Sequence, residues 1–250
     1  MDKLRRYIAE HEHIPGNSKS SHIQYECPKC KDKGYILVDV DGYDVARDCE
    51  CSGIRQAKEL MRQSGISEGF LRKDFKNFDI RNNPQLGNAK NKAIQYTKDF
   101  SGVEHERHNS IMFSGQVGSG KTHLGIAVCN RLMRDGVAVI YMAYRTAVTR
   151  IKQYITDDTT YNRELKRYMR ARVLYIDDFL KGKLTEADVN IMYELINHRY
   201  MNKLPIIVST EKSLDQILEF DEAMGSRIIE MCRKNIIDLQ GKELNYRIYS

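Results

Sequence analysis

The segment Gly115-Gln-Val-Gly-Ser-Gly-Lys-Thr122 fits the spacing G-x-x-x-x-G-K-[ST] in full. Each residue type has a task there. Gly115, Gly118 and Gly120 let the backbone curl so that successive N–H groups point at one anion. A helix opening at Lys121 adds the positive end of its dipole. Lys121 brings a charge to β- and γ-phosphates, and Thr122 offers a hydroxyl to Mg²⁺. The expected contact with ATP therefore runs through Gly115, Gln116, Val117, Gly118, Ser119, Gly120, Lys121, Thr122 and His123. Further on, Val173-Leu-Tyr-Ile-Asp-Asp178 ends an apolar run on two carboxylates, the first of them 55 residues after Thr122. Open α/β sheets keep their ligands at strand C-termini. Asp177 is expected to hold Mg²⁺ together with Thr122, and Asp178 to orient or polarise the attacking water. A blander reading makes these a Gly-rich connector and a pair of capping aspartates. The strand before the loop and the helix after it favour the nucleotide site.

A second group is sulfur. Cys27-Pro-Lys-Cys30 and Cys49-Glu-Cys51 flank 18 residues with the pattern of a hairpin. Thiolates at C-x₂-C on a tight turn share one tetrahedral ion, and a hairpin returns the second pair. Four sulfurs fill the shell of Zn²⁺ and leave no open position, so the expected site is structural, a staple for a module too small to hold itself together. Lys29, Lys31, Lys33 and Arg47 offset the thiolate charge. A redox use of C-x-x-C is disfavoured, because no thioredoxin-like βαβ pattern surrounds it. Cys129 and Cys232 stand alone in helical patterns.

The elements that must position these groups follow from periodicity. Tyr35–Val40, the turn Asp41-Gly42 and Tyr43–Arg47 read as the hairpin. Before it, residues 1–13 read as a short amphipathic helix and Ile14–Ser21 as a linker. After it, Ile54–Ser64 reads as a helix, and 66–87 as irregular chain with Phe70, Phe75, Phe78 and a pattern-breaking Pro84. From residue 88 helices and strands alternate. The helices are Ala89–Phe100, Lys121–Arg134, Arg145–Ile155, Tyr161–Arg170, Thr185–Tyr200 and Ser213–Phe220. The strands are Ser110–Phe113, Val137–Met142, Val173–Ile176, Pro205–Ser209 and Ile236–Leu239. Thr185 with Asp188, and Ser213 with Gln216, are capping signals. Alternation of this kind implies a parallel sheet covered on both faces. The expected organisation is a zinc-binding domain over 1–65, a linker over 66–87 and an α/β P-loop domain over 88–250.

Composition sets bounds. With 41% hydrophobic and 30% charged residues, the chain is globular rather than disordered throughout. Its longest apolar run, Val137–Ala143, is strand-sized, so no membrane helix is expected. The segment MDKLRRYIAEHEH lacks the apolar stretch of a secretory signal, which leaves the cytoplasm. Net charge is +6. Residues 1–65 hold 11 basic and 11 acidic side chains, so the excess belongs to 66–250. It permits an anionic partner without demanding one.

These motifs, together with GISEGFLRKDFKNFD, SIMFSGQVGSGKTHLGIAV, PIIVSTEKSL, MGSRIIEMC and GKELNYRIYS, carry a resemblance over nearly the whole chain. The chain resembles bacterial and phage helicase loaders of the DnaC/DnaI type, AAA+ ATPases of the clade that includes DnaA and IstB. The resemblance implies an AAA+ fold. It implies ATP hydrolysis with Mg²⁺, and a zinc domain that grips the hexameric replicative helicase. It also implies self-association and delivery of the helicase to single-stranded DNA. Thr210 resembles the sensor 1 position, where the family commonly has Asn, with Ser209 as a competitor. Arg227 in GSRI resembles the arginine finger that reaches a neighbouring subunit's nucleotide, with Arg233 as the alternative. A blander reading places Arg227 before an apolar helix and pairs it with Asp221 or Glu222. Arg247 in NYR resembles sensor 2. With Ser250 three residues further on, no C-terminal helical lid is expected, as in the loaders.

Residues 145–172 hold eight Lys/Arg and three Asp/Glu. Arg163, Lys166, Arg167 and Arg170 recur at helical spacing with Tyr161 and Tyr168 among them, a face suited either to single-stranded DNA or simply to water. Three functions follow for comparison. The first is the helicase loader. The second is an IstB-like transposition helper that binds duplex DNA and recruits a transposase, against which the cysteines speak. The third is a metabolic P-loop kinase, for which no substrate lid is evident.

Overall fold

The hairpin forms as its turn chemistry requires. Strand β1 (Tyr35–Val40) pairs antiparallel with β2 (Tyr43–Asp48), Val40 lying opposite Tyr43. Gly42 supplies the left-handed backbone, φ +84°, that so tight a reversal needs. This computed structural model describes residues 25–40, 42–53, 55, 59 and 72–249. The helix and linker expected over 1–21, most of the helix expected over Ile54–Ser64, and Phe70 lie outside the described residues. Two compact units divide the chain, Met1–Cys49 and Glu50–Ser250.

In the larger unit the five apolar runs become β3 (Ile111–Gly115), β4 (Val139–Ala143), β5 (Val173–Phe179), β6 (Ile206–Thr210) and β7 (Ile236–Leu239). They form one sheet in the order β4-β5-β6-β3-β7, every pair parallel. All five residues of β3 are buried. One sheet face packs on α1 (Pro84–Val103) and α2 (Lys121–Arg134). The other packs on α3 (Tyr144–Lys152), α4 (Asp158–Met169), α5 (Glu186–Met201), α6 (Leu214–Phe220) and α7 (Glu222–Cys232). Both predicted capping boxes are present, at Thr185/Asp188 and Ser213/Gln216.

Two expectations are corrected. Pro84 opens α1 instead of breaking a pattern. Asn83 caps the helix by accepting from the N–H groups of Gln85 and Leu86, and a proline in the first turn gives up an N–H that had no intrahelical partner. The helix therefore begins five residues before Ala89. Likewise Arg227 does not precede an apolar helix but sits inside one. Asp221 accepts from Met224 N–H and starts α7 at Glu222. The described part of 66–87 also does more than link. Phe75 and Phe78 are buried in the core under α1 and α2, and Asn130 of α2 donates to the Lys73 carbonyl at 2.7 Å.

Arg199 of α5 has no exposed surface and, among the described residues, no carboxylate partner. Its guanidinium donates to the carbonyls of Tyr168, Met169, Ala171 and Pro205, at 2.6–3.1 Å. It closes the end of α4, where the last carbonyls lack helical partners, and ties it to the entry of β6. Burial pushes its pKa down to about 9.

Candidate nucleotide site

The phosphate loop leaves β3 at Gly115, whose φ is +131°; a Cβ there would lie 2.2 Å from the Leu239 carbonyl oxygen. It enters α2 at Gly120, φ +90°, which caps the helix in the left-handed conformation. Between them Ser119 Oγ donates to the Gln116 carbonyl at 2.9 Å, and the Lys121 ammonium donates to the same oxygen. Lys121 is buried, and burial lowers its pKa from the usual lysine range. The loop thus holds its own curl before any anion arrives.

Asp177 lies on the face of β5 that meets α2. Thr122 Oγ1 donates to its Oδ1 at 2.9 Å and Tyr175 OH to the same oxygen at 2.7 Å. Tyr141 OH donates to Oδ2 at 2.9 Å, and Ser209 Oγ also donates to Oδ1. Burial pushes both phenols up, so they remain donors. One residue on, the β5–β6 register shifts. Asp178 and Leu180 both take left-handed φ, +55° and +59°, a costly backbone for side-chain-bearing residues. The kink turns Asp178 out of the strand. Its carboxylate meets Lys181 Nζ at 2.9 Å, and Lys181 also reaches Glu211 at 3.2 Å.

Lys121, Thr122, Tyr141, Asp177, Asp178, Lys181 and Glu211 line one cavity of about 800 Å³. Phe78, Asp79, Tyr246 and Arg247 supply a further wall. That wall is latched. Arg81 donates to the carbonyls of Glu243 (3.0 Å) and Tyr249 (3.4 Å), and its guanidinium stacks 3.9 Å from the centre of the Tyr246 ring. Tyr246 N–H in turn donates to the Gly118 carbonyl at 3.0 Å. His123 bonds the Asp74 carbonyl (3.0 Å) and Asn77 Oδ1 (2.9 Å) and stands edge-on to Phe78. Burial lowers its pKa.

Of the residues singled out in the sequence, Val117, Gly118, Gly120, Lys121, Thr122, His123, Asp177, Asp178 and Arg247 come together around this cavity. Gly115, Gln116 and Ser119 build the loop behind it. Thr210 does not line it. Its buried hydroxyl donates to the Phe179 carbonyl at 2.8 Å and accepts from Lys212 N–H, fastening the kink of β5. Ser209 is the residue of that strand that touches Asp177. Arg227 lies on α7 against Tyr193 and Tyr200, about 5.5 Å from each ring centre, and pairs with neither Asp221 nor Glu222. On α4, Arg163, Lys166 and Arg170 are exposed, whereas Arg167 is half-buried over Tyr168. The two tyrosines are not free to stack on bases: Tyr168 is buried and Tyr161 donates to Glu194. Sequence reasoning missed Lys181, Glu211, Tyr141, Tyr175 and Tyr246. Only Lys181, three residues past the acid pair, and Tyr175, two before Asp177 on the same strand face, had a local signal.

The four cysteines also come together. Cys27, Cys30, Cys49 and Cys51 bring their sulfurs within 4.8 Å of one another, with Cys27 and Cys49 3.8 Å apart. Four sulfurs bound tetrahedrally at about 2.3 Å stand about 3.8 Å apart, so the set fits zinc. Gly34 N–H donates to Cys30 Sγ at 3.3 Å, support suited to a thiolate.

Comparison with known proteins agrees with this geometry. Residues 42–247 match the family described as IstB-like ATP binding protein. The phage-like element PBSX protein XkdC of Bacillus subtilis (strain 168) is 37% identical over 99% of this chain and 95% of its own length. The replicative helicase loader DnaC of Escherichia coli (strain K12) is 27% identical, covering 70% of this chain and 69% of DnaC. The crystal structure of the DnaC helicase loader superposes with a TM-score of 0.61 at 21% identity, over 69% of this chain and 99% of that one. The fold is therefore the AAA+ fold of that loader.

Proposed function

We propose that this chain, which belongs to the family of IstB-like ATP-binding proteins, is an ATPase that loads a hexameric replicative helicase onto single-stranded DNA. Family membership supports ATP binding and ATPase activity in general. The residues fit Mg²⁺: a threonine hydroxyl and a buried carboxylate already in contact are its usual donor set. Thr122 and Asp177 would hold it, and it would neutralise charge on the phosphates. Lys121 would lie along the β/γ-phosphates, Asp178 would orient water, and Arg247 would face the nucleotide from the latched wall.

The four-sulfur cluster ahead of the ATP-binding unit carries the loader reading. It fits a helicase-gripping domain over about 1–65 ahead of an ATPase domain in the cytoplasm, to which the stretch 66–87 adds Phe75 and Phe78 in the core and Arg81 at the site. Among the described residues no helix is long and apolar enough to cross a membrane. The IstB-like helper that recruits a transposase is the second reading, favoured by the family description itself. Affinity capture with the tagged full chain from a host lysate separates the two. Recovery of the replicative helicase supports the first, and recovery of a transposase without helicase overturns it.

Arg227 gives a sharper test of assembly. Its side chain does not line the cavity of its own chain and, among the described residues, has no acidic partner, as a finger acting on a neighbour requires. Arg227→Ala is expected to bind ATP normally and lose assembly-dependent turnover; arginine fingers are worth roughly 10³–10⁵ in GTPases. Mixing Arg227→Ala with Lys121→Ala on single-stranded DNA should restore part of the activity, because neighbours rebuild whole sites. Failure of rescue with both variants folded and co-assembling would move the finger to Arg233 or remove it. The DNA reading rests on the exposed face Arg163, Lys166, Arg170. Replacing any one by Ala should weaken single-strand binding and reduce the salt slope by about 0.7. An unchanged slope would leave α4 a solvated face.

A further inference from the structure

We infer that Tyr175 and Tyr141 are positioning residues for the metal-holding carboxylate Asp177, and that Gly125 is the notch in the phosphate-loop helix that admits Tyr175. The inference deepens the ATPase reading and rests on it. Asp177 is only 6% exposed and, among the described residues, makes no ion pair and is held by hydroxyl donors alone. A carboxylate held this way is fixed only if both oxygens are engaged. Tyr141 holds Oδ2 at 2.9 Å, while Tyr175, at 2.7 Å, shares Oδ1 with Thr122 and Ser209. The strand register puts them side by side, Tyr141 opposite Tyr175, with ring centres 5.3 Å apart and edge to face. Thr122 then spends its proton on Asp177 and keeps its oxygen lone pairs for a cation.

Gly125 supplies the independent observation. It lies in the interior of α2, where glycine is a poorer helix former than alanine. A Cβ there would stand 2.4 Å from the Tyr175 hydroxyl and 2.5 Å from its ring carbon Cζ. The helix forgoes a side chain at the place where the phenol passes beneath it toward Asp177.

The test uses the full chain with Tyr175→Phe, Tyr141→Phe and the double variant. A fluorescent ADP analogue is titrated in EDTA, then across a range of Mg²⁺, and thermal melting is recorded in parallel. Affinity in EDTA should stay within about twofold of wild type. The Mg²⁺ concentration giving half-maximal binding should rise about tenfold for each single variant, the scale of one hydrogen bond to a charged group, and further for the double. Gly125→Ala should raise the Mg²⁺ requirement and also lower the melting temperature. Adding Tyr175→Val to it should recover melting but not the Mg²⁺ requirement. A lowered melting temperature with the wild-type Mg²⁺ requirement would overturn the inference and leave the tyrosines as packing. If the wild-type chain binds nucleotide with no response to Mg²⁺, the ATPase reading falls and takes this inference with it.

Discussion

Lys121→Ala should reduce ATP turnover to background while the chain stays folded. The lysine is the buried cation of the phosphate loop, and its ammonium rests on the Gln116 carbonyl of that same loop. Removing it deletes a charge that has to be desolvated, so folding loses little. The backbone cradle survives, because Ser119 and the left-handed Gly120 shape it independently. What is lost is the charge set against phosphate oxygens in the transition state. Loss of one such preorganised donor costs about 10²–10³ in rate in other enzymes, and a full positive charge at least as much. Nucleotide affinity should fall as well. Asp178→Asn makes a contrasting forecast: nucleotide and Mg²⁺ binding persist, since Thr122 and Asp177 are untouched, while hydrolysis falls. Steady-state turnover beside equilibrium binding checks both. Wild-type turnover by the lysine variant would sink the site, and loss of binding in Asp178→Asn would exchange the roles of the two acids.

Removal of zinc should unfold the cysteine module and spare the ATPase. Structural zinc in small modules has an apparent binding energy on the order of 10–16 kcal/mol, which is folding energy there. The hairpin β1–β2 has little else to hold it: Tyr35, Leu37, Tyr43 and Val45 are exposed, while Cys30 and Cys49 are buried. Any one Cys→Ser change at Cys27, Cys30, Cys49 or Cys51 should therefore disorder the hairpin β1–β2 and the cysteines that flank it, and abolish capture of the helicase. A fragment from about residue 66 should keep its ATP turnover. Metal analysis of protein purified without chelators should find one zinc per chain, and less than half an equivalent would count against the site.

What the sequence revealed and what it hid follow from the range of the interactions involved. The phosphate loop, the hairpin and both capping boxes are local. Gly120 beside Lys121, or Thr185 three residues from Asp188, states its own geometry. The strands are legible because a doubly covered parallel sheet needs unbroken apolar runs. Pro84 reads as a breaker only in isolation, because its meaning depends on the residue before it: Asn83 makes it a first-turn proline. Thr210 was assigned by position along the chain. The kink at Asp178, which no periodicity signals, redirects its hydroxyl to Phe179. Glu211 meets Lys181 across 30 residues, and Tyr246 meets Gly118 across 128, distances over which no sequence pattern reports a contact. Tyr168 reads as exposed if α4 is taken as an isolated basic helix; packing of α4 against α3 and α5 buries it.

The latched wall bears on how the protein is handled. Residues 241–249 are part of the nucleotide site's construction. Asn245 packs against Gly118, Gln116 donates to the Gly241 carbonyl, and Arg81 grips the carbonyls of Glu243 and Tyr249. A purification tag or reporter fused after residue 250 would pull on the same few residues that back the phosphate loop. Nucleotide affinities measured on such a fusion would report the fusion as much as the protein. A tag on the carboxyl side becomes a deliberate perturbation: lengthening a rigid linker there should leave affinity unchanged until it strains Arg81, and weaken it beyond.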